Sequence, residues 1–260
     1  MILAIDCGNT NTVFAVFGDD GALRGEWRSA TDAKRTADES GLWLIQLLQR
    51  ADLEPTQIRG AIVASVVPAA LFNLKSMCAK YFNRQPVVVG EPGVELGIRN
   101  LVDHPEEVGA DRLVNAVAAG KTYKGPMIVV DFGTATTFDV IDSDGNYRGG
   151  VIAPGVNLSV EALHMAAAKL PRVAVARPER VIGTGTVAAM KSGIYWGYVA
   201  LIEGLIDRIK KEFGAEMEVI ATGGLAPLFT DAVACIKHAD LDLTLRGLYA
   251  VYRLNAKRDR

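Results

Sequence analysis

Two stretches of this chain repeat one another, and each sets an aspartate beside a glycine-containing polar turn. The first is Ile2–Gly21, ILAIDCGNTNTVFAVFGDDG, and the second is Met127–Gly145, MIVVDFGTATTFDVIDSDG. Aligned on their acids, Asp6 matches Asp131 and Gly8 matches Gly133, 125 positions apart, and at that offset Thr12 falls on Thr137. Each copy reads as an apolar strand, a D-x-G turn rich in Thr and Asn, a returning strand and an Asp-Gly turn. Asp20-Gly21 and Asp144-Gly145 mark hairpins, because glycine enters positive φ without steric cost. A duplication this long constrains the fold to two related half-molecules that turn two acids towards one cleft. The 260 residues suffice for two domains of about 130, and the expected division is 1–117 and 118–260.

Bulk properties narrow the class of partner. Half of the chain is apolar and 22% is charged, a balance that supplies ample core. A net charge of −2 leaves no footprint for nucleic acid and no general attraction to an anionic membrane. The three cysteines, Cys7, Cys78 and Cys235, are far apart and form no C-x-x-C pair, which argues against a disulfide framework and a structural zinc site. The longest apolar run, Ala61 to Phe72, has 12 residues interrupted by Ser65 and Pro68 and is too short to span a bilayer. The N-terminus enters a strand directly, with neither a basic leader nor a cleavage site. These features predict a cytoplasmic protein.

Along the chain, Leu23 to Arg28 is expected as the third strand of the first meander. Thr31-Asp32 offers an N-cap to a helix over residues 33–51, with Leu42, Ile45 and Leu48 on one face. Ala61 to Val67 reads as a strand buried on both faces, Leu71 to Phe82 as a helix and Pro86 to Val89 as a short strand. Glu106 to Gly120 reads as a helix joining the halves. The second half repeats the meander from Met127 to Val151. Helices are expected at 157–169, 186–213 and 225–234, a strand at Met217–Ala221 and a closing helix at 243–254. Meanders followed by alternating helices and strands predict an α/β fold with mixed sheets. Lys257 to Arg260 reads as a frayed, solvated end.

An Asp at a strand end, followed by Gly and hydroxyl residues, can hold a hydrated cation while turn amides and Thr hydroxyls meet phosphate oxygens. One copy alone reads as an ordinary hairpin; two copies in register favour a clamp on one nucleotide. The runs Asp6-Cys7-Gly8-Asn9-Thr10-Asn11-Thr12, Asp131-Phe132-Gly133-Thr134-Ala135-Thr136-Thr137 and Ala221-Thr222-Gly223-Gly224-Leu225 resemble the two phosphate motifs and the adenosine motif of the actin/hexokinase/Hsp70-like ATPases. Four further runs are Gly109-Ala110-Asp111-Arg112, Ser65-Val66-Val67-Pro68, Gly149 to Gly155 (GGVIAPG) and Leu243 to Leu248 (LTLRGL). With them the chain resembles type III pantothenate kinases from Ile2 to about Leu248.

That resemblance implies two ribonuclease H-like domains of the actin-like duplication with an ATP cleft between them. It implies ATP-dependent phosphorylation of pantothenate to 4'-phosphopantothenate, the first step of coenzyme A biosynthesis. Carried over residue by residue, the proton acceptor is Asp111, and the substrate-binding stretch is Gly109, Ala110, Asp111 and Arg112. ATP contacts fall on Asp6, Cys7, Gly8, Asn9, Thr10, Asn11, Thr12, Val13 and Thr134. A monovalent cation, K⁺ or NH₄⁺, maps to Asp131, Mg²⁺ travels with ATP near Asp6, and a further pantothenate contact maps to Thr186. Two departures stand out. Gly185 occupies the place of the family's usual Asn before that Thr, and Val102-Asp103-His104-Pro105 lacks the Tyr that many members carry there. The resemblance also implies a homodimer, for which the apolar 157–169 helix offers Leu158, Val160, Leu163 and Met165.

Other patterns carry no site. Asn115-x4-Gly120-Lys121-Thr122 nearly matches a phosphate-binding P-loop, but it follows a helix and lacks the first Gly. Asp142 to Ala153 opens like an EF-hand loop yet lacks its Gly and Glu. His104, His164 and His238 lie at no zinc-ligand spacing and read as packing or surface residues. Two rival functions share the motifs: another small-molecule, sugar-like kinase of the superfamily, and a regulatory relative that has lost catalysis. The G-A-D-R run argues against the first, and the joint presence of Asp6, Asp111 and Asp131 argues against the second.

Overall fold

The duplication persists strand for strand in three dimensions. A computed structural model describes residues 1–166 and 170–256. One mixed sheet holds β1 (Ile2–Cys7), β2 (Asn11–Phe17), β3 (Leu23–Ala30), β4 (Gly60–Ser65) and β5 (Val87–Val88) in the order β3-β2-β1-β4-β5. The other holds β6 (Met127–Phe132), β7 (Ala135–Ile141), β8 (Tyr147–Pro154), β9 (Glu218–Thr222) and β10 (His238–Ala239) in the order β10-β9-β6-β7-β8. Matching β1 to β6 and onward makes the two orders identical. In each sheet the first three strands run antiparallel and the fourth joins parallel to the first. Even the irregularity repeats, as a register shift at Val16/Phe17 and another at Val140/Ile141. Gly21 and Gly145, with φ of +84° and +81°, close the expected hairpins.

Cross-strand register corrects the residue matching inside the turns. Asp6 pairs with Val13 and Cys7 with Thr12, whereas Asp131 pairs with Thr137 and Phe132 with Thr136. Thr12 therefore corresponds to Thr136, not to Thr137. The second turn is one residue shorter, so the offset falls from 125 before it to 124 after it. Asp20-Gly21 and Asp144-Gly145 already show that smaller offset. Carried onward, it sets Ala30 against Pro154 and Thr31 against Gly155.

Seven helices are described: α1 (Ala37–Arg50), α2 (Pro68–Phe82), α3 (Ala110–Thr122), α4 (Val156–Ala166), α5 (Thr186–Phe213), α6 (Ala226–Thr230) and α7 (Leu243–Asn255). The first starts later than expected. Thr36, not Thr31 or Asp32, is its N-cap, and Thr36 with Glu39 forms a capping box that satisfies amides at both ends of the box. Pro68 opens α2 at a position where a missing N–H costs nothing. The joining segment is a short 3-10 turn at Pro105–Glu107 followed by α3, rather than one helix from residue 106. The helix expected at 225–234 shrinks to the five residues of α6. Residues 167–169, the end of the expected 157–169 helix, and the 257–260 tail lie outside the described residues.

The chain forms two compact units, Met1–Thr122 with the closing segment from Asp242, and Tyr123–Leu241. A division after residue 117 would cut α3, and the closing helix α7 belongs to the first unit, where it packs on α3. There Thr244 Oγ1 donates to Asn115 Oδ1 at 2.7 Å. In the first unit Leu3, Ile5, Cys7 and Phe14 face a core shared with α1 and α2, while Ala4, Val13, Ala15 and Ala64 face α3 and α7. In the second, Ile128, Val130, Phe132 and Phe138 pack with α5 and α6. Side chains alternate along a strand, so Asp6 follows Ala4 onto the α3/α7 face and Asp131 lies opposite its own unit's α5/α6 core. Among the described residues no helix is long and apolar enough to cross a membrane.

Candidate active site

The first turn is knitted by side chains. Gly8 N–H donates to the Asn11 carbonyl at 3.0 Å, leaving Asn9, Thr10 and Asn11 exposed at the tip. Thr31, just past β3, clasps it from the side. Its N–H reaches the Thr10 carbonyl at 2.9 Å, its hydroxyl donates to the Gly8 carbonyl at 2.7 Å, and the Thr12 hydroxyl lies 2.9 Å from that hydroxyl. The Thr31 proton goes to Gly8, so Thr12 donates to Thr31 or to the Cys7 sulfur, 3.4 Å away. Thr31 was expected as part of a helix cap. The pairing of β2 with β3 brings it to the turn instead, and the only local trace is a hydroxyl residue at a strand end.

The second turn is shaped by missing side chains. Gly133 N–H donates to the Ala135 carbonyl at 3.1 Å, with Gly133 and Thr134 exposed. The residue that follows β8 is Gly155, and a Cβ there would run into the Thr134 carbonyl and the Gly133 oxygen. Gly223, at φ +86° in the Ala221–Leu225 run, closes the other side: a Cβ on it would stand 2.5 Å from Asp131 Oδ1. The Asp131 carboxylate therefore lies directly against the A-T-G-G backbone.

Asp111 sits in the first turn of α3, as its place after Gly109 predicts. Its Oδ1 accepts from the Arg112 N–H at 2.8 Å. Burial pushes its carboxyl above the ordinary aspartate value; the Arg112 N–H and the Arg112 charge pull the other way but do not cancel it. The Ser65–Pro68 run links this acid to the first turn. Val66 N–H donates to the Cys7 carbonyl at 3.1 Å, and Val66 Cγ1 packs on Gly109. Ser65 Oγ and the Val67 backbone bond each other at 3.1 Å and shape the bend between β4 and α2. So one strand exit bridges the nucleotide-type turn and the G-A-D-R turn within the first unit.

Thr186 is exposed as the first residue of α5, with Gly185 as its N-cap in extended conformation. The near-P-loop run lies inside α3, so its amides are engaged in a helix. Asp142 Oδ1 accepts from Asp144 and Asn146 amides and shapes the β7–β8 hairpin, which accounts for the EF-hand-like residues. His164 Nδ1 is 2.7 Å from the Leu170 carbonyl, and His238 bonds Glu218 and packs at a tilt against Tyr123.

Comparison with known proteins identifies the family and the fold. The family model described as type III pantothenate kinase matches residues 2–208. Type III pantothenate kinases of Paramagnetospirillum magneticum and Rhodospirillum rubrum are each 66% identical to this chain; the first match covers 98% of both chains, the second 98% of this one and 99% of the other. Among solved structures, the activator of the 2-hydroxyisocaproyl-CoA dehydratase from Clostridium difficile, with bound ADPNP, matches with a TM-score of 0.56 at 12% identity. That match covers 99% of this chain and 97% of the other, and it speaks to the shared fold.

Proposed function

The chain belongs to the type III pantothenate kinase family, and from that membership we infer that it transfers the γ-phosphoryl group of ATP to the primary hydroxyl of pantothenate. The product is 4'-phosphopantothenate, made in the first step of coenzyme A biosynthesis. The observation that carries the reading onto this chain's residues is the Val66 bridge. The exit of β4 bonds Cys7 beside the first turn and lies against Gly109, two residues before Asp111, whose carboxyl pKa is raised by burial, and this supports the reading.

Phosphoryl transfer demands position and charge compensation more than covalent chemistry. Asp6 to Val13 and Thr134 take the nucleotide phosphates, with Asn9, Thr10, Asn11 and Thr134 presenting the exposed turn groups. Gly109 to Arg112 and Thr186 take pantothenate, with the Arg112 guanidinium suited to its carboxylate. Asp111 accepts the hydroxyl proton as that oxygen attacks, and its raised pKa brings it nearer to the operating pH that general-base catalysis favours. Asp6 would lie beside the Mg²⁺ that accompanies ATP, an ion that would offset the phosphate charge. The donors at Asp131 fit a hard monovalent cation. They are the Asp131 carboxylate and, from its partner across the strand pair, the Thr137 hydroxyl, which donates to Asp139 Oδ2 and keeps its lone pairs for a cation. Asp131 is accordingly the residue that holds K⁺ or NH₄⁺.

Two further readings go with this one. A homodimer is favoured by the exposed apolar side chains Ile152, Leu158 and Met165 on β8 and α4, and light scattering at micromolar concentration tests it. The cytoplasm, where ATP is abundant, is the place of action. The decisive assay follows ATP consumption with pantothenate or a hexose as acceptor, with and without K⁺. Turnover is expected only with pantothenate and is expected to rise with K⁺. Turnover with the hexose alone would replace the substrate assignment with a sugar kinase.

A further inference from the structure

Tyr198, twelve residues into α5, is buried, and its hydroxyl joins two segments. It lies 2.8 Å from the Pro154 carbonyl and 2.5 Å from the Ser159 hydroxyl. A carbonyl can only accept, so the single phenolic proton goes to Pro154 and Ser159 donates to the phenol oxygen. Pro154 ends β8, Ser159 lies in the first turn of α4, and the Ser159 N–H closes on the Gly155 carbonyl at 2.9 Å. One phenol thus clamps both sides of Gly155, the residue whose backbone presses on Gly133 and Thr134. In the first copy the matching residue, Thr31, bonds its turn directly.

We infer that Tyr198 is a positioning residue for the second phosphate turn: by holding Pro154 and Ser159 it sets where Gly155 stands, and Gly155 sets where Gly133–Ala135 meet the nucleotide. The inference rests on the reading that Thr134 contacts ATP. Tyr198 touches no substrate. Its work is to keep a glycine corner, which lacks side-chain bonds of its own, from drifting off the turn.

The test compares Tyr198→Phe, Ser159→Ala and Thr134→Ala by calorimetric titration with a non-hydrolysable ATP analogue and Mg²⁺, by steady-state kinetics and by thermal melting. Tyr198→Phe keeps the ring against Phe229 and removes only the hydroxyl. It should weaken nucleotide binding and raise the KM for ATP by about fivefold, a part of the worth of the two buried hydrogen bonds that is felt only through the displaced turn. kcat and the KM for pantothenate should stay within about twofold, with a modest fall in melting temperature from the two lost bonds. Ser159→Ala should shift nucleotide affinity in the same direction by a smaller factor, and it carries the test should Tyr198→Phe not fold. Thr134→Ala separates the two readings. If it weakens nucleotide binding while Tyr198→Phe and Ser159→Ala do not, the positioning role is overturned and the phosphate turn stands. If Thr134→Ala leaves binding intact, the phosphate-turn reading falls and this inference falls with it. A fall in kcat with a rise in both KM values, for ATP and for pantothenate alike, would mark Tyr198 as merely structural.

Discussion

The two D-x-G turns share strand order, register and the position of a bulge, yet opposite means hold them in shape. The first is four residues deep and is tied by hydroxyls, with Thr31 bonding Gly8 and Thr10 while Thr12 reaches Thr31. The second is one residue shorter and is packed backbone against backbone, with Gly155 beneath it and Gly223 beside Asp131. Where Thr31 donates a hydrogen bond in one copy, a bare glycine fills the same place in the other. The lesson is that a duplicated motif can keep its geometry while its support is exchanged. A side-chain bond can be lost for about 1 kcal/mol, whereas a close backbone approach tolerates no added atom.

That contrast can be broken by experiment. The largest effect should come from outside both turns. Asp111→Asn should lower kcat by about 10²–10⁴-fold while nucleotide affinity, measured by calorimetry, stays close to wild type. If nucleotide affinity collapsed as well, the separation of binding turns from base would be lost. Next comes Gly155→Ala, whose methyl would collide with the Thr134 carbonyl. Overpacking of this kind costs about 1–3 kcal/mol and, where it displaces the turn, should cut nucleotide affinity by about fivefold or more. Thr31→Ala, at the matching position, should cost only a few-fold. Equal effects at the two positions would refute the contrast. Gly223→Ala pairs a φ of +86° with a clash at Asp131 Oδ1 and should flatten the dependence of turnover on K⁺ more than it weakens ATP binding.

The smallest effect is a pH signature. Because burial raises the Asp111 carboxyl, the acid limb of kcat/KM should lie above the ordinary aspartate range, with activity lost as pH falls through the raised value. Removing the Arg112 charge by Arg112→Ala should move that limb further up. The stability sign runs the other way. A carboxyl raised in the fold contributes stability that is full below its unfolded pKa and is lost as pH rises through its folded pKa. Near neutral pH Asp111→Asn should therefore melt no lower than wild type, a case of function retained against stability. A lower melting temperature would place Asp111 in the structural framework.

Legibility followed range along the chain. Asp6, Asp131 and their turns were visible because strand, turn and returning strand are contiguous, and α5 at 186–213 was visible because its periodicity is long. The Thr36–Glu39 capping box is equally local, yet Thr31-Asp32 drew the helix start four residues too early because both segments carry capping residue types. Thr31 itself was misplaced, since only the β2–β3 pairing reveals what its hydroxyl meets. The Thr12 match slipped by one for a related reason: a single-residue shortening inside a turn is invisible until cross-strand partners fix the register. Tyr198 offered no signal at all, as one aromatic among several on a long helix.

By itself the sequence determined the duplicated α/β plan, the two phosphate-type turns, the family and the identity of the candidate acids. These properties reside in short segments whose residue types dictate local conformation. Only the tertiary structure decided that α7 returns to pack on α3, that Val66 lies between Cys7 and Gly109, and that one turn leans on hydroxyls and the other on glycines. Each of these depends on atoms far apart in the chain meeting within a few ångströms, and close packing rather than local preference determines where they meet.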